Sequence, residues 1–180
     1  PHGAGAACMP CALGSYQSET AQMNCNNCPA GTYGDEIGLS SPCKSCLPGQ
    51  YTQTGLGAVV ACVEADRGHF APEGGLSEEP CEPGQYTNDT GSTSCFDCSP
   101  GFYTNRPRET ECHSPLPGYF TTNSYSWKGR HYSFRGAIGF EPCPVGKHGG
   151  RCDSCDQCTA CLPGRFSNIS ASTKCTPARI

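Results

Sequence analysis

Cysteine is the residue type most able to do chemistry in this chain: 17 of 180 residues, many set two residues apart, as in Cys8/Cys11, Cys25/Cys28, Cys43/Cys46, Cys95/Cys98 and Cys158/Cys161. Thiols so spaced ligate zinc, ligate an iron–sulfur cluster, or oxidise to disulfides. Cys8-x2-Cys11-x13-Cys25-x2-Cys28 matches a four-thiolate zinc site on paper, and Cys152-x2-Cys155-x2-Cys158-x2-Cys161 resembles an iron–sulfur ligand run with a short fourth interval. Tandem disulfide repeats generate the same spacing at every junction, so the expectation is no metal and no cofactor. The sequence contains no G-x-S-x-G, Walker A or H-E-x-x-H, and its five histidines are scattered, so it reads as non-enzymatic.

The cysteines sit among 23 glycines and 16 prolines, with Leu, Ile, Val and Phe too sparse for a large core. This is the composition of a disulfide scaffold in an oxidising compartment, extracellular or on the cell surface, because cytosolic thiols are kept reduced. Two Asn-X-Ser/Thr sequons, at Asn88 and Asn168, fit the same compartment and would carry covalently attached glycans. A formal charge of -4 with no Lys/Arg run argues against nucleic acid. No apolar run approaches the ~18 residues of a membrane helix, so direct membrane insertion is not expected. Pro1 opens the chain without a charged or apolar leader, which reads as a mature chain or an internal piece.

What must position the cysteines is a repeat. Taking the second cysteine of each pair as a unit's start gives "CALGSY" at Cys11, "CPAGTY" at Cys28, "CLPGQY" at Cys46, "CEPGQY" at Cys81, "CSPGFY" at Cys98, "CPVGKH" at Cys143 and "CLPGRF" at Cys161. "ADRGHF" at Ala65 and "PLPGYF" at Pro115 complete nine units, spaced 16 to 19 residues apart except for an interval of 28 after Pro115. Glycine stands third after every start, as a turn with positive φ requires. An aromatic stands fifth in eight of nine units, His148 being the exception, and is expected to pack over the neighbouring disulfide.

Each unit ends at a cysteine three residues before the next start, except where Glu78 and Phe140 stand, and those are the units whose start cysteine is also missing. If start and end were bonded to other units, each double loss would strand two thiols; if they bond each other, none is stranded. The expected bonds are therefore Cys11–Cys25, Cys28–Cys43, Cys46–Cys62, Cys81–Cys95, Cys98–Cys112 and Cys161–Cys175, with Cys143–Cys158 as the seventh. Each would close a loop of about 15 residues, worth roughly 3 kcal/mol through chain entropy. Cys152 and Cys155 pair with each other, or else Cys143 pairs with Cys152 and Cys155 with Cys158. Cys8 holds an end position whose start precedes residue 1, so it has a partner in a longer precursor or is unpaired or intermolecular. Ala178 stands at the next start.

The fold expected is small and disulfide-rich: an elongated tandem array of short β-hairpin and irregular cysteine-rich repeats, with little helix. Its divisions are an N-terminal segment 1–10, six repeats over 11–114, a disulfide-free repeat with an insertion over 115–142, two repeats over 143–175, and a tail 176–180.

The phrases "CEPGQYTNDTGSTSCFDCSPGFYT" and "CPAGTYGDEIGLSSPCKSC" resemble tandem ephrin-receptor-like cysteine-rich repeats, a group akin to EGF-like and tumour-necrosis-factor-receptor-like modules. The resemblance covers roughly residues 8 to 175 and implies extracellular, rod-like modules of short hairpins and loops. The two bond-free units, the insertion after Pro115 and the extra cysteines after Cys143 depart from the simple repeat, and no kinase or ephrin-binding domain accompanies it.

The insertion, "TTNSYSWKGRHYSFRG", holds Tyr125, Trp127, Arg130, Tyr132 and Phe134, including the only tryptophan. Its alternation suits a hairpin with one aromatic face, and clustered Trp, Tyr and Arg are enriched at interfaces. Two readings stand: a plug replacing the missing disulfide, or a site for a partner. The function expected is a non-enzymatic structural rod that assembles with copies of itself or another surface protein, as in a cell-surface filament. The alternative is a receptor or adhesion ectodomain that binds a separate protein or glycan ligand.

Overall fold

The computed structural model describes residues 9–53, 59–73, 75–127, 130–133, 136–149 and 157–178, with the backbone alone for 125–127 and 130–133. Among them there is no helix, and the fold is a small disulfide-rich series of two-stranded antiparallel sheets, the class the sequence leads one to expect.

The turn comes first. Leu47-Pro48-Gly49-Gln50 places proline and a glycine of φ 83° at the two central positions, and the Gln50 N–H donates to the Leu47 carbonyl at 3.0 Å. That is the chemistry of a type II turn, and it recurs at Glu82–Gln85, Leu116–Tyr119 and Leu162–Arg165. In the described repeats other than the sixth, the residues after the turn glycine form one strand and the two residues between an end position and the next start form the other; in the sixth, Tyr103 and His113 make a single antiparallel bridge. Thus β1 (Ser15–Tyr16) pairs with β2 (Asn26–Asn27), β3 (Thr32–Tyr33) with β4 (Lys44–Ser45), and β5 (Gln50–Tyr51) with β6 (Val63–Glu64). β7 (His69–Phe70) and β8 (Glu79–Pro80), then β9 (Gln85–Tyr86) and β10 (Phe96–Asp97), repeat the arrangement.

In the seventh repeat the hairpin lengthens. β11 (Tyr119–Thr122) pairs with β14 (Gly139–Pro142) and encloses a second hairpin, β12 (Ser124–Trp127) with β13 (Arg130–Ser133). β15 (Lys147–His148) with β16 (Thr159–Ala160), and β17 (Arg165–Phe166) with β18 (Thr176–Pro177), close the series. The C-x2-C spacing therefore has a physical cause: its two spacer residues are a strand.

Seven disulfides lie among the described residues, joining Cys11–Cys25, Cys28–Cys43, Cys46–Cys62, Cys81–Cys95, Cys98–Cys112, Cys143–Cys158 and Cys161–Cys175. Of the two arrangements open for the quartet, the structure has the one in which Cys143 bonds Cys158. Cys8, Cys152 and Cys155 lie outside the described residues. Because Cys11 and Cys25 are bonded to each other, the zinc-like spacing has no free thiolates at those positions.

Two compact units partition the chain, one of Pro1–Asp66, Phe70–Glu79 and Thr90–Thr93, the other of Arg67–His69, Pro80–Asp89 and Ser94–Ile180. Within each, the core is narrow and follows the repeat. In the first unit, the start residue's N–H closes the preceding turn, as in Cys28 to the Gly14 carbonyl and Ala65 to the Gly49 carbonyl, both at 2.9 Å. The turn glycine's N–H then reaches the sixth residue of the next repeat: Gly14 to the Gly34 carbonyl, Gly31 to the Thr52 hydroxyl, Gly49 to the Ala71 carbonyl. The second unit follows the same rule with Gly68 to Thr87, Gly84 to Thr104, Gly118 to Gly149 and Gly146 to Ser167. These sixth residues must be small, since Thr52, Ala71, Thr87 and Thr104 are at most 1% exposed. A Cβ on Gly34 would lie 3.0 Å from the Cys28 sulfur.

Candidate interaction surface

Where the staple is missing, something else closes the loop. At the fourth repeat Ala65 is completely buried in the start position, and Glu78, at the end position, accepts the Asp66 N–H at 2.8 Å through Oε2. A carboxylate-to-backbone hydrogen bond therefore spans the loop that a disulfide spans elsewhere. Beside it, burial raises the Tyr51 phenol above its ordinary value near 10, and the Glu78 and Asp66 carboxylates add to the shift.

At the seventh repeat, Pro115 is buried at the start and Phe140 occupies the end position. The Phe140 ring meets Tyr119 edge to face at 5.5 Å and Tyr103 at 5.0 Å, with Tyr103 also 6.2 Å from His113. Two such aromatic contacts are worth ~1–3 kcal/mol together beyond area burial, comparable to the lost crosslink. The side chains of the insertion's own aromatics, offered by the sequence as a plug or as a partner site, lie outside the described residues; the described aromatic closure is made by Phe140 with Tyr119 and Tyr103.

The insertion forms the hairpin its alternation suggests. Its cross-strand pairs are Ser124↔Ser133, Tyr125↔Tyr132, Ser126↔His131 and Trp127↔Arg130. Since alternate residues share a face and paired residues lie opposite each other, positions 125, 127, 130 and 132 occupy one face. One face thus carries Tyr, Trp, Arg and Tyr, the other Ser, Ser, His and Ser. Phe134, Lys128 and Arg135 lie outside the described residues.

The sequon asparagines Asn88 and Asn168 are both exposed, each seventh after its start and next to a buried hydroxyl residue, Thr87 or Ser167. The Thr90 hydroxyl of the first sequon also donates to Glu64 Oε2 at 3.1 Å. Elsewhere the charged surface is ordinary: Lys44 donates to Asp35, which lowers that carboxyl's pKa and raises the lysine's.

Two features escaped the sequence reading. The sixth-position residue is small in almost every unit, a periodicity visible beside the glycine but not sought. The tenth-position residue is left-handed in five units, at Ala21, Gly38, Gly91, Arg108 and Ala171 but not at Gly75, and no shared residue type announces it.

Comparison with known proteins follows the repeat. Residues 2–41 match the family described as tyrosine-protein kinase ephrin type A/B receptor-like. A protein of Homo sapiens described as signal peptide, CUB and EGF-like domain-containing protein 2 is 35% identical over 99 residues, 51% of this chain and 10% of that protein. In these parts the chain is similar to ephrin-receptor-like and EGF-like cysteine-rich proteins, and it spans about a tenth of the length of the relative it matches. Among the described residues no helix is long and apolar enough to cross a membrane.

Proposed function

We propose that the chain is an extracellular, non-catalytic, structural interaction protein that assembles with copies of itself at the cell surface, as a filament subunit does. The observation that carries this reading is the β12–β13 hairpin. The described hairpins of the other repeats are at most two residues deep per strand, whereas this one adds four-residue strands with Tyr125, Trp127, Arg130 and Tyr132 at positions of one face. Aromatic and arginine side chains together are the composition of interface hot spots. Glycans at Asn88 and Asn168 belong to the same reading.

A second reading, a receptor or adhesion ectodomain recognising a separate ligand, is favoured by the match of residues 2–41 to a receptor-like family. Electron microscopy of native material separates the two: filaments support assembly, discrete particles support the ectodomain. Trp127→Ala is expected to abolish polymerisation. If polymers persist while binding to another protein disappears, the hairpin serves a ligand and self-assembly through it is wrong.

A further inference from the structure

We propose that the partner of the aromatic–basic hairpin is the acidic, disulfide-free fourth repeat of a second copy. This rests on the self-assembly reading and names the surface it would use.

The charge of the chain is unevenly placed. Residues 64–79 hold Glu64, Asp66, Glu73, Glu78 and Glu79 against a single Arg67, a formal -4 that equals the net charge of all 180 residues. The remainder of the chain is neutral. Residues 121–136 hold Lys128, Arg130 and Arg135 and no acidic residue. The two repeats without a start-to-end disulfide therefore carry opposite charge.

Glu64, Asp66, Glu73 and Glu79 are exposed, Glu78 is half-buried, and none of the five forms an ion pair among the described residues. Beside them the Tyr51 phenol is raised mainly by burial, with Glu78 and Asp66 adding to the shift. Val63, next to Glu64 in sequence, and Leu76, within the acidic segment, are exposed at 40% and 55%, so the segment offers apolar as well as acidic side chains. Among the described residues strand β12 pairs with β13 alone. A hairpin face with Arg130 among aromatic positions and an acidic segment with exposed apolar residues are complementary in both respects that direct association.

A hairpin on one copy and an acidic repeat on the next form a heterologous contact. It uses different surfaces on each partner, so it leaves one of each unfilled and propagates.

Sedimentation velocity of the intact, oxidised chain over a range of concentration and salt tests this. Association is expected, and is expected to weaken by about tenfold or more as salt rises from ~0.05 to ~0.5 M, because the contact depends on opposite charges. Arg130→Glu is expected to remain monomeric, and so is Glu73→Lys/Glu79→Lys; Glu73 and Glu79 make no side-chain hydrogen bond or ion pair among the described residues. Mixing the two variants is expected to restore association, since each then offers a surface complementary to the other; a misfolded variant cannot regain binding on mixing. If the wild type associates but both variants associate equally well, or the mixture stays monomeric, the hairpin–acidic pairing is wrong while assembly by another surface survives. A wild type that stays monomeric throughout overturns the pairing and the assembly reading together.

Discussion

Restoring the bond that the fourth repeat lacks tests the account of how these units are closed. Ala65→Cys with Glu78→Cys puts thiols at the start and end positions. Ala65 is completely buried and donates its N–H to the Gly49 carbonyl at 2.9 Å, as the cysteine starts donate to the turn glycine of the repeat before them. The seven existing bonds have Cα atoms 5.6–5.8 Å apart across sequence separations of 14 to 16, and the new one would span 13. A loop of this length removes about 3 kcal/mol of unfolded-state entropy. Against it stands the lost Glu78–Asp66 hydrogen bond, about 1 kcal/mol at a partly exposed site. The net is ~2 kcal/mol of stabilisation, a rise of several degrees in the unfolding midpoint. Non-reducing peptide mapping should link positions 65 and 78, and calorimetry against the wild type should show the rise. Free thiols at both positions, or a formed bond with a lowered midpoint, would refute the claim that Glu78 and Ala65 occupy the vacated ends of a disulfide.

Three further outcomes follow from named contacts. Phe140→Ala is expected to cost ~1–2 kcal/mol in thermal unfolding, the loss of two edge-to-face contacts tempered by the ring's 39% exposure. Gly68→Ala should cost ~2–3 kcal/mol and Gly164→Ala only ~1 kcal/mol by denaturant titration, since both have positive φ but only at Gly68 would a Cβ overlap the Arg108 backbone. Tyr51 holds its proton more tightly when folded, so the stability this adds is present below pH 10 and is lost as pH rises through the raised value. Tyr51→Phe should flatten that alkaline limb, measured as unfolding midpoints between pH 9 and 12.

The sequence made the frame legible because the frame is made of residues with no substitutes. Only cysteine bonds covalently, and glycine is the usual occupant of a positive-φ turn such as that at Gly49, so starts, turns and even bond partners could be read from where Ala65 and Glu78, or Pro115 and Phe140, lost cysteine together. The residues that stack one repeat on the next were harder to see. Position six requires smallness, which Gly34, Thr52, Ala71 and Ser167 all meet with different chemistry. Position ten takes a left-handed backbone in five units, and Arg108 adopts it with its N–H on the Cys81 carbonyl at 3.0 Å, an arrangement set by the neighbouring repeat. Of the insertion, the hairpin was legible from alternation. The closure at Phe140 was not, because it depends on Tyr103 from the preceding repeat and Tyr119 from the paired strand meeting one ring.

The two ways of closing a repeat act on different states of the chain. A disulfide acts largely by restricting the unfolded ensemble and keeps doing so when the folded contacts are disturbed. The Glu78–Asp66 hydrogen bond and the Phe140 ring contacts exist only in the folded repeat, so their contribution disappears when that repeat opens. The fourth and seventh repeats are for this reason the places where local opening is least restrained, even though Ala65 and Pro115 are as buried as the cysteines they replace. Loss of the crosslink also frees an end position for another side chain: a carboxylate in the acidic repeat, a phenylalanine in the basic one. Covalent restraint and surface chemistry thus vary together along the chain.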